Sequence, residues 1–229
     1  MNLSVIEICM NCNTNCHFKK LLPDDEKKHY FNQMLHLSYH KKETIIKQNS
    51  HCSYAIYLKQ GLVKVFTERR NEKNIILKIL PPNNFIGINT IHSEIYNFSI
   101  TALKDSGVCM LPREQFFEII QTNHDFASHF FYEQSKISAF LIDKISSLGT
   151  KQMHGRLADT IMYLTGNDLM AANVFEHISR KDIAELSGMS PESAIRLLTE
   201  FKNDGLIKQN GKSIVVNNSE LLNRLSEIG

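Results

Sequence analysis

Short apolar runs separated by turn residues fill the middle of the chain, between about Glu43 and Leu111. Apolar and polar residues alternate in Leu62–Phe66, and Gly, Pro, Asn and Asp stand between the runs. Such runs predict strands, because successive side chains of a strand face opposite sides. The predicted strands are Thr44–Lys47, Tyr54–Leu58, Leu62–Thr67, Ile75–Leu80, Phe98–Leu103 and Val108–Leu111. Many short strands at regular spacing predict a small antiparallel β-barrel or jelly roll.

Helical patterns flank this β region. Asp24–Leu37 predicts a short helix before it, opened by Pro23 and two aspartates, while Arg113–Gln121 and His154–Leu164 predict helices after it. The predicted fold class is therefore α+β.

The stretch His124–Leu148 predicts a long helix with two apolar faces. One face holds Phe130, Ile137, Leu141 and Leu148, and the other holds Phe131, Ile142 and Ile145. One apolar face can dock on the helix's own domain, whereas a second face needs another partner. We therefore predict a two-fold coiled-coil homodimer, and we assign its interface to the first face. The alternative is a helix buried between two domains of one chain.

The C-terminal stretch Ser179–Asn217 predicts two capped helices followed by a β-hairpin. Ser179 is a good N-cap with Asp182 three residues later, and Gly188 permits a tight turn. Ser190 then caps the second helix, which begins with a proline. The hairpin is indicated by Gly-Lys between two apolar runs, so the whole stretch predicts a winged helix-turn-helix.

The second helix of this pair has one buried and one exposed face. Ala194, Leu197, Leu198 and Phe201 recur at i, i+3, i+4 and i+7. Glu192, Arg196 and Thr199 lie opposite, with Ile195 and Ser193 on the flanks. An Arg can read guanine and a Glu can accept a hydrogen bond from cytosine, so this face suits base recognition. The alternative is a helical hairpin that binds nothing, with Glu192–Arg196 an ordinary surface pair.

Charge and composition exclude some classes of protein, but they give no support for DNA binding. The 229 residues carry a net charge of +2. From Lys151 onward the sequence has nine Lys and Arg residues and ten Asp and Glu residues, so this part is not basic. A prediction of DNA binding must therefore rest on local geometry. Candidate phosphate contacts are Arg180, Lys181, Lys202, Lys208 and Lys212. We expect a cytoplasmic protein, because no membrane span or signal peptide is visible, and no enzyme, because no phosphate loop, HExxH motif or nucleophile elbow occurs.

Five cysteines in such a chain argue against a disulfide framework and toward metal or redox chemistry. Cys9, Cys12 and Cys16 stand in one polar loop and offer three soft ligands for a metal or an iron–sulfur cluster. A fourth ligand must come from a distance, and Cys52 and Cys109 are the remaining thiols. Open alternatives are a zinc site completed by His17 or Cys109, and thiols that bind nothing.

The C-terminal motif resembles the DNA-binding end of the CRP/FNR regulators. The residues that carry the resemblance are Arg180, Ile183, Ala184, Gly188, Ser190, Glu192, Arg196, Leu197-Leu198, Gly205-Leu206-Ile207 and Gly211-Lys212-Ser213-Ile214. The order of barrel, long helix and winged helix-turn-helix is similar to the family layout over roughly residues 20–229. It implies a cysteine-rich loop at 1–20, a sensor barrel at 21–123, a dimerisation helix at 124–149 and a DNA-binding domain at 150–229.

The resemblance also implies functional residues. It implies a homodimer on a near-palindromic double-stranded DNA site, read by Glu192 and Arg196. Ile195 replaces a base-reading serine of the FNR branch and can contact a thymine methyl group. The complete set of predicted DNA contacts is Arg180, Ser190, Glu192, Ile195, Arg196, Thr199 and Lys212. By family analogy the turn Glu68–Lys73 contacts RNA polymerase, although it also reads as a solvated charged hairpin.

For the sensor, cyclic-nucleotide members of the family use Gly-Glu-Leu and Arg-Ser-Ala motifs. The matching places here read Gly87-Ile88-Asn89 and Ser99-Ile100-Thr101-Ala102. Both the glutamate for the ribose and the arginine for the phosphate are missing. A buried phosphate would therefore lack its cation, and we expect neither cyclic AMP nor cyclic GMP.

The FNR branch offers a positive alternative, because Gly107–Pro112 resembles its late strand, where a cysteine before a proline completes a [4Fe-4S] site. The implied ligands are Cys9, Cys12, Cys16 and Cys109, sensing oxygen, redox state or nitric oxide. The gap between Cys12 and Cys16 is shorter than in that branch. The alternative is a regulator with silent or zinc-binding cysteines that responds to haem or an unknown small molecule.

Overall fold

The computed structural model describes residues 16–68, 74–87 and 92–229, apart from the side chains of His17, Phe18 and Ile228. The described residues form two compact units. The first takes the described residues of Met1–Lys64 and Leu80–Ser138, and the second those of Val65–Ile79 and Ala139–Gly229. Each unit is described by itself below.

The first unit begins with two short helices, α1 (His17–Leu21) and α2 (Asp24–Phe31). Three acidic residues in the first turn of α2 stabilise the helix, because they interact favourably with the positive N-terminal end of its dipole. The helix predicted over Asp24–Leu37 was too long: it ends at Phe31, and Leu35–Tyr39 forms strand β1. The alternation of Leu35, Leu37 and Tyr39 with polar residues carried that signal.

Six strands of the described residues form one sheet. They are β1, β2 (Thr44–Ile46), β3 (Tyr54–Thr67), β4 (Ile75–Leu80), β5 (Asn84–Ile86) and β6 (Ser99–Pro112). The main order is β1-β6-β3-β4, with β2 paired to β6 and β5 paired to β3. The pairings of β1 and β2 with β6, and of β5 with β3, are antiparallel. This confirms the predicted antiparallel β domain.

Strands β3 and β6 each run through a point where the sequence predicted a break. At that point Gly61 has a φ of 106°. A Cβ on Gly61 would overlap the side chain of Ser106, whose hydroxyl accepts a hydrogen bond from Leu62 N at 3.3 Å. Glycine thus permits a close approach between the two strands instead of ending one of them.

Aromatic side chains form the centre of the first unit. The rings of Phe85, Phe116 and Phe130 meet edge to face, with centroid distances of 5.7 Å for Phe85–Phe116 and 5.3 Å for Phe116–Phe130. Phe116 lies on α3 (Arg113–Thr122) and Phe130 on the long helix α4 (His124–Thr150). Cys109 and Leu111 of β6 belong to the same buried group, which is called the aromatic cluster below.

The long helix α4 has the predicted extent but uses its faces differently. Phe130 is buried in the aromatic cluster, so its side chain is not available to a second chain. Ile137, Leu141 and Leu148, the other members of the predicted dimerisation face, are half-buried. The exposed apolar residues are those of the second face, with Phe131, Ile142 and Ile145 exposed by 63%, 66% and 70%. The assignment of the dimer interface to the first face stays a prediction, and the second face holds the most exposed apolar side chains of α4.

The rest of the second unit is helical apart from one hairpin. Its described elements are α5 (Met153–Leu164), α6 (Asn167–Ala171), α7 (Val174–His177), α8 (Arg180–Ser187), α9 (Pro191–Asn203), β7 (Ile207–Asn210), β8 (Ser213–Val216) and α10 (Ser219–Ile228). Helix α10, which the sequence patterns did not predict, packs on α5 with Leu222 fully buried. None of the described helices is both long and apolar enough to span a bilayer.

Candidate nucleic-acid interface and thiol site

Helix α8 is started by a reciprocal cap. Ser179 Oγ accepts a hydrogen bond from Asp182 N at 3.1 Å, and Asp182 Oδ2 accepts one from Ser179 N at 2.7 Å. The predicted capping box is confirmed, with Asp in the place of the commoner Glu. Because two orphan donors are satisfied by residues three positions apart, this helix start is encoded locally.

Helix α8 ends in the turn of the helix-turn-helix. Gly188 adopts the left-handed conformation with φ 62°, and a Cβ there would lie 2.5 Å from Leu148 Cδ2 of α4. Nearby, Lys144 Nζ donates to Leu186 O at 2.7 Å and so caps the C-terminal end of α8. Burial lowers the pKa of Lys144 to about 8. The last turns of α4 thus hold the turn between the two helices.

Helix α9 is the predicted recognition helix. Ser190 Oγ accepts a hydrogen bond from Ser193 N at 3.2 Å, and Pro191 opens the helix, as predicted. The predicted stripe of Ala194, Leu197, Leu198 and Phe201 is buried. A helix fixed by a cap at one end and by a buried stripe along its length presents its opposite face rigidly.

The opposite face of α9 is open to solvent. Glu192, Ile195, Arg196 and Thr199 are all exposed. The Arg196 guanidinium lies 3.6 Å from a Glu200 carboxylate oxygen, so Arg196 pairs in this structure with Glu200. Since this is an exposed ion pair, worth little in water, it leaves Arg196 available to a base edge. The bonds of the Glu192 carboxylate to its own backbone N–H and to Ser190 lower the Glu192 pKa.

The wing lies beside α8. Strands β7 and β8 pair from Ile207↔Val216 to Asn210↔Ser213, which leaves Gly211 and Lys212 as the turn. Arg180 of α8 is half-buried and donates to Gln209 Oε1 and Gly211 O, both at 3.4 Å. Arg180 therefore braces the wing against the helix pair. Lys212 at the tip is exposed, as are Lys181, Lys202 and Lys208.

The first unit holds the thiol of Cys109 in a defined setting. Cys109 lies on β6 directly opposite His36 of β1, and its Sγ is 3.3 Å from His36 Nδ1. Cys109 is buried and His36 is half-buried. Burial, with a smaller contribution from Lys59, lowers the pKa of His36. No sequence pattern singled out His36, since its position depends on the pairing of β1 with β6.

Two other cysteines are described. Cys16, which precedes α1, is half-buried and packs against the aromatic cluster that contains Cys109. Cys52 is buried elsewhere, beside the Tyr96 hydroxyl, and it is not a member of that cluster. Cys9 and Cys12 lie outside the described residues. Within the described residues no group of three or more His, Cys, Asp or Glu side chains is arranged to hold a metal ion.

Two protein-family models match the chain, one in each half. A cyclic nucleotide-binding domain model matches residues 36–123, and a Crp-like helix-turn-helix domain model matches residues 155–225. The chain belongs to the CRP/FNR family of transcriptional regulators. It is accordingly a DNA-binding transcriptional regulator of the CRP/FNR type.

Relatives within the family divide between its branches. The cAMP-activated global transcriptional regulator CRP of Salmonella typhimurium is 27% identical over 183 residues, which cover 78% of this chain and 87% of that protein. The transcriptional activator protein FnrA of Stutzerimonas stutzeri is 22% identical over 178 residues, 76% of this chain and 73% of that protein. The solved structure of FixK2 from Bradyrhizobium japonicum superimposes with a TM-score of 0.72 at 18% identity, covering 84% and 96% of the two chains, and so shows the same fold.

Two regions with predicted roles in this CRP/FNR regulator lie wholly or mostly outside the described residues. Residues 88–91, which include two positions compared with the cyclic-nucleotide motif, lie outside the described residues, as does most of the turn predicted to meet RNA polymerase. Ser99 is buried and accepts a hydrogen bond from Gln48 N at 2.9 Å. The expectation that no cyclic nucleotide binds stays a prediction.

Proposed function

We propose that this regulator senses oxygen, or nitric oxide, through a [4Fe-4S] cluster held by Cys9, Cys12, Cys16 and Cys109. The observation that carries the proposal is the position of Cys16 and Cys109 on the same aromatic cluster, although 93 positions separate them in the sequence. Cys9 and Cys12 enter from their spacing to Cys16 and from the resemblance to the FNR branch.

The chemistry of these donors fits the group. Cysteine thiolates are the usual ligands of iron–sulfur clusters, and the two described thiols are buried or half-buried rather than fully solvated. Bound there, the cluster would supply an oxidant-sensitive redox centre. The residues around it contribute an apolar wall that limits access of water to the thiolates.

The same wall connects the thiol region to α4. Phe126 and Phe130 of α4 belong to the aromatic cluster together with Cys109, and Cys16 packs against that cluster. A change in how the thiols are held therefore bears directly on the first turns of the long helix. To act as a switch, the liganded state must favour the DNA-competent form by a few kcal/mol.

A second copy of the chain would cover the exposed face of α4. Phe131, Ile142 and Ile145 recur at intervals typical of a helix–helix seam, and each is more than 60% exposed. Burying these side chains against their symmetry mates removes apolar surface from water and gives a two-fold homodimer.

In that dimer the two copies of α9 would bind a near-palindromic double-stranded DNA site. Glu192 and Arg196 would meet base edges, and Ile195 a thymine methyl group. Lys212 at the wing tip would meet phosphate, while Arg180 holds the wing in place. The segment Glu68–Lys73 is assigned to RNA polymerase on family analogy.

The deciding experiment measures iron, acid-labile sulfide and the visible spectrum of protein purified without oxygen and then exposed to air. The proposal expects about four irons and four sulfides per chain and a broad band that air bleaches. Cys109→Ser should lose the iron, whereas Cys52→Ser, a matched buried thiol outside the aromatic cluster, should keep it.

Other results would contradict the proposal. Zinc without iron would make the site structural. Protein without any metal that still shifts DNA fragments from its own promoter region would leave the thiols silent and point to a small-molecule effector or haem.

A further inference from the structure

We propose that the second unit of this regulator binds a small organic anion in a cavity between the last turns of α4, helix α5 and the end of α8, and that this ligand changes the affinity for DNA. The cavity measures about 470 Å³, a volume typical of small-molecule sites in proteins. All of its lining residues belong to the second unit, and none of them is a predicted thiol ligand or base reader. The inference therefore does not depend on the proposed cluster.

The walls of the cavity carry more positive than negative charge. The charged lining residues are Lys144, Lys151, Arg156, Asp143 and Asp159. Asp159 is already paired, since it accepts a hydrogen bond from Lys151 Nζ at 3.0 Å, and Asp143 is exposed to water. Lys144 and Arg156 are therefore the two cations that an anion in the cavity would neutralise.

The guanidinium of Arg156 has a buried donor that is not satisfied. Its Nε is buried, and within the described residues it has no hydrogen-bond partner. A buried donor without an acceptor costs free energy, and the planar guanidinium pairs best with a carboxylate or a phosphate. An anionic headgroup beside Arg156 would accept this hydrogen bond.

Lys144 places a buried ammonium in the same cavity. Its Nζ donates to Leu186 O at 2.7 Å, and an ammonium has three N–H groups, so it can donate to an anion as well. Burial lowers the pKa of Lys144 because it disfavours the charged form, and a bound anion would favour that form again. Buried, perturbed cations in a cavity are typical of binding sites.

The rest of the lining favours an organic ligand over a bare inorganic ion. Phe140, Leu148 and Met162 contribute apolar side chains. The ring of Phe140 lies 4.9 Å from that of Tyr163, whose hydroxyl donates to Ile79 O at 2.7 Å and so fixes the aromatic wall. Cavities of this kind bind an apolar body by contact and orient its charged group by a few polar side chains.

The position of the cavity connects it to DNA binding. Leu186 and Ser187 at the end of α8 line it, directly before the turn at Gly188. Leu148 of α4 lines it too and lies beside Gly188. A ligand that binds one arrangement of α4 and α8 more tightly shifts the population toward it, and DNA affinity changes by linkage.

A dimer formed through the exposed face of α4 leaves the cavity open. The buried and half-buried side chains of α4 that line it recur every three or four residues from Phe140 to Leu148, so they share one side of the helix. At about 100° per residue, Ile142 and Ile145 lie on the opposite side. A second chain packed on Ile142 and Ile145 would not cover the cavity.

The test titrates the full-length protein with phenyl phosphate, benzoate, inorganic phosphate and benzyl alcohol by calorimetry. We expect saturable binding at one site per chain for the two organic anions, and much weaker binding for the inorganic ion and the neutral alcohol. Arg156→Met should weaken phenyl phosphate binding about tenfold, because a charge-assisted hydrogen bond is lost. Asp143→Asn, which removes a negative charge from the exposed rim, should tighten it severalfold. Arg224→Met, the same change at an exposed arginine of α10, should match wild type.

A second measurement tests the effect on DNA. Saturating phenyl phosphate should change the affinity for DNA fragments from its own promoter region severalfold in wild type. Inorganic phosphate at the same ionic strength should not, which controls for screening of the DNA by salt. Arg156→Met should show no such change at the phenyl phosphate concentration that saturates wild type.

Each contrary result overturns a stated part of the proposal. Wild type that binds neither organic anion has no such site. Equal binding by Arg156→Met and Arg224→Met would place the anion elsewhere, and inorganic phosphate that binds as tightly as phenyl phosphate would contradict an organic ligand. Binding without any change in DNA affinity would contradict the regulatory role. Thermal melts show whether Arg156→Met folds, and the exposed Asp143→Asn keeps the proposal testable if it does not. None of these outcomes alters the iron and sulfide content that tests the proposed function.

Discussion

The DNA-facing end of this regulator takes its geometry from residues three or four positions apart, whereas the thiol region joins residues from Cys16 to Cys109. Ser179 and Asp182 cap α8 within one turn, and Ser190 caps α9 in the same way. The contact of His36 with Cys109, which are 73 positions apart in the sequence, depends on the pairing of β1 with β6. A local motif survives small changes elsewhere, whereas a site assembled from distant segments depends on the packing that unites them.

The most severe test of this comparison removes packing from the thiol region. Phe116→Ala should cost about 3–5 kcal/mol of unfolding free energy, because a fully buried ring at the centre of the aromatic cluster is lost. Denaturant unfolding measures it. Phe116→Leu, which keeps most of the volume, should cost far less. If both variants unfold like wild type, the aromatic cluster does not hold the thiol region together.

The turn of the helix-turn-helix has a non-local neighbour, since Gly188 lies beside Leu148 of α4, and this contact can be tested. Gly188→Ala should cost about 2–3 kcal/mol, because it adds a collision with Leu148 to the strain of positive φ. Gly205→Ala is the matched control, with φ 71° and no atom within 4 Å of an added Cβ, and should cost only about 1–2 kcal/mol. Leu148→Ala should reduce the cost of Gly188→Ala, since neighbouring changes couple. Equal costs for the two glycines would mean that α4 does not brace the turn.

Base reading is the next smaller effect. Arg196→Ala should weaken binding to the specific site by about 1–3 kcal/mol and relax specificity at one position. Lys212→Ala should instead weaken binding to all sequences alike, because phosphate contacts carry no sequence information. Titrations of specific and scrambled duplexes measure both. An equal loss on the two duplexes for Arg196→Ala contradicts its role as a base reader.

The last expected effect, of a size similar to that of Arg196→Ala, concerns Lys144. Its pKa of about 8 in the folded protein lies below the ordinary value of 10.5, so the unfolded chain binds more protons between these two pH values. Stability therefore rises with pH through this window, by about 1–3 kcal/mol, and the gain is absent below pH 8. Lys144→Met should remove the rise. Urea unfolding of both proteins from pH 7 to pH 10.5 measures it, and parallel curves would show that the burial of Lys144 does not affect folding.

The sequence by itself determined the elements whose signals are local. The caps at Ser179 and Ser190, the turn at Gly188 and the apolar stripe of α9 all follow from short-range rules, and the structure confirms each of them. The two-residue wing turn at Gly211 was determined in the same way. These features can be predicted because their hydrogen bonds and periodicity lie within one turn of helix or one hairpin.

Only the tertiary structure decided how the strands and helix faces are used. Pairing with β6 converts Leu35–Tyr39 from a predicted helix end into β1, and it brings His36 to Cys109. Packing in the aromatic cluster buries Phe130, a residue that the sequence assigned to a dimer interface. The sequence predicts that an apolar side chain will be buried, but the surface that buries it is formed by residues far away in the sequence. The partner is therefore chosen by the fold.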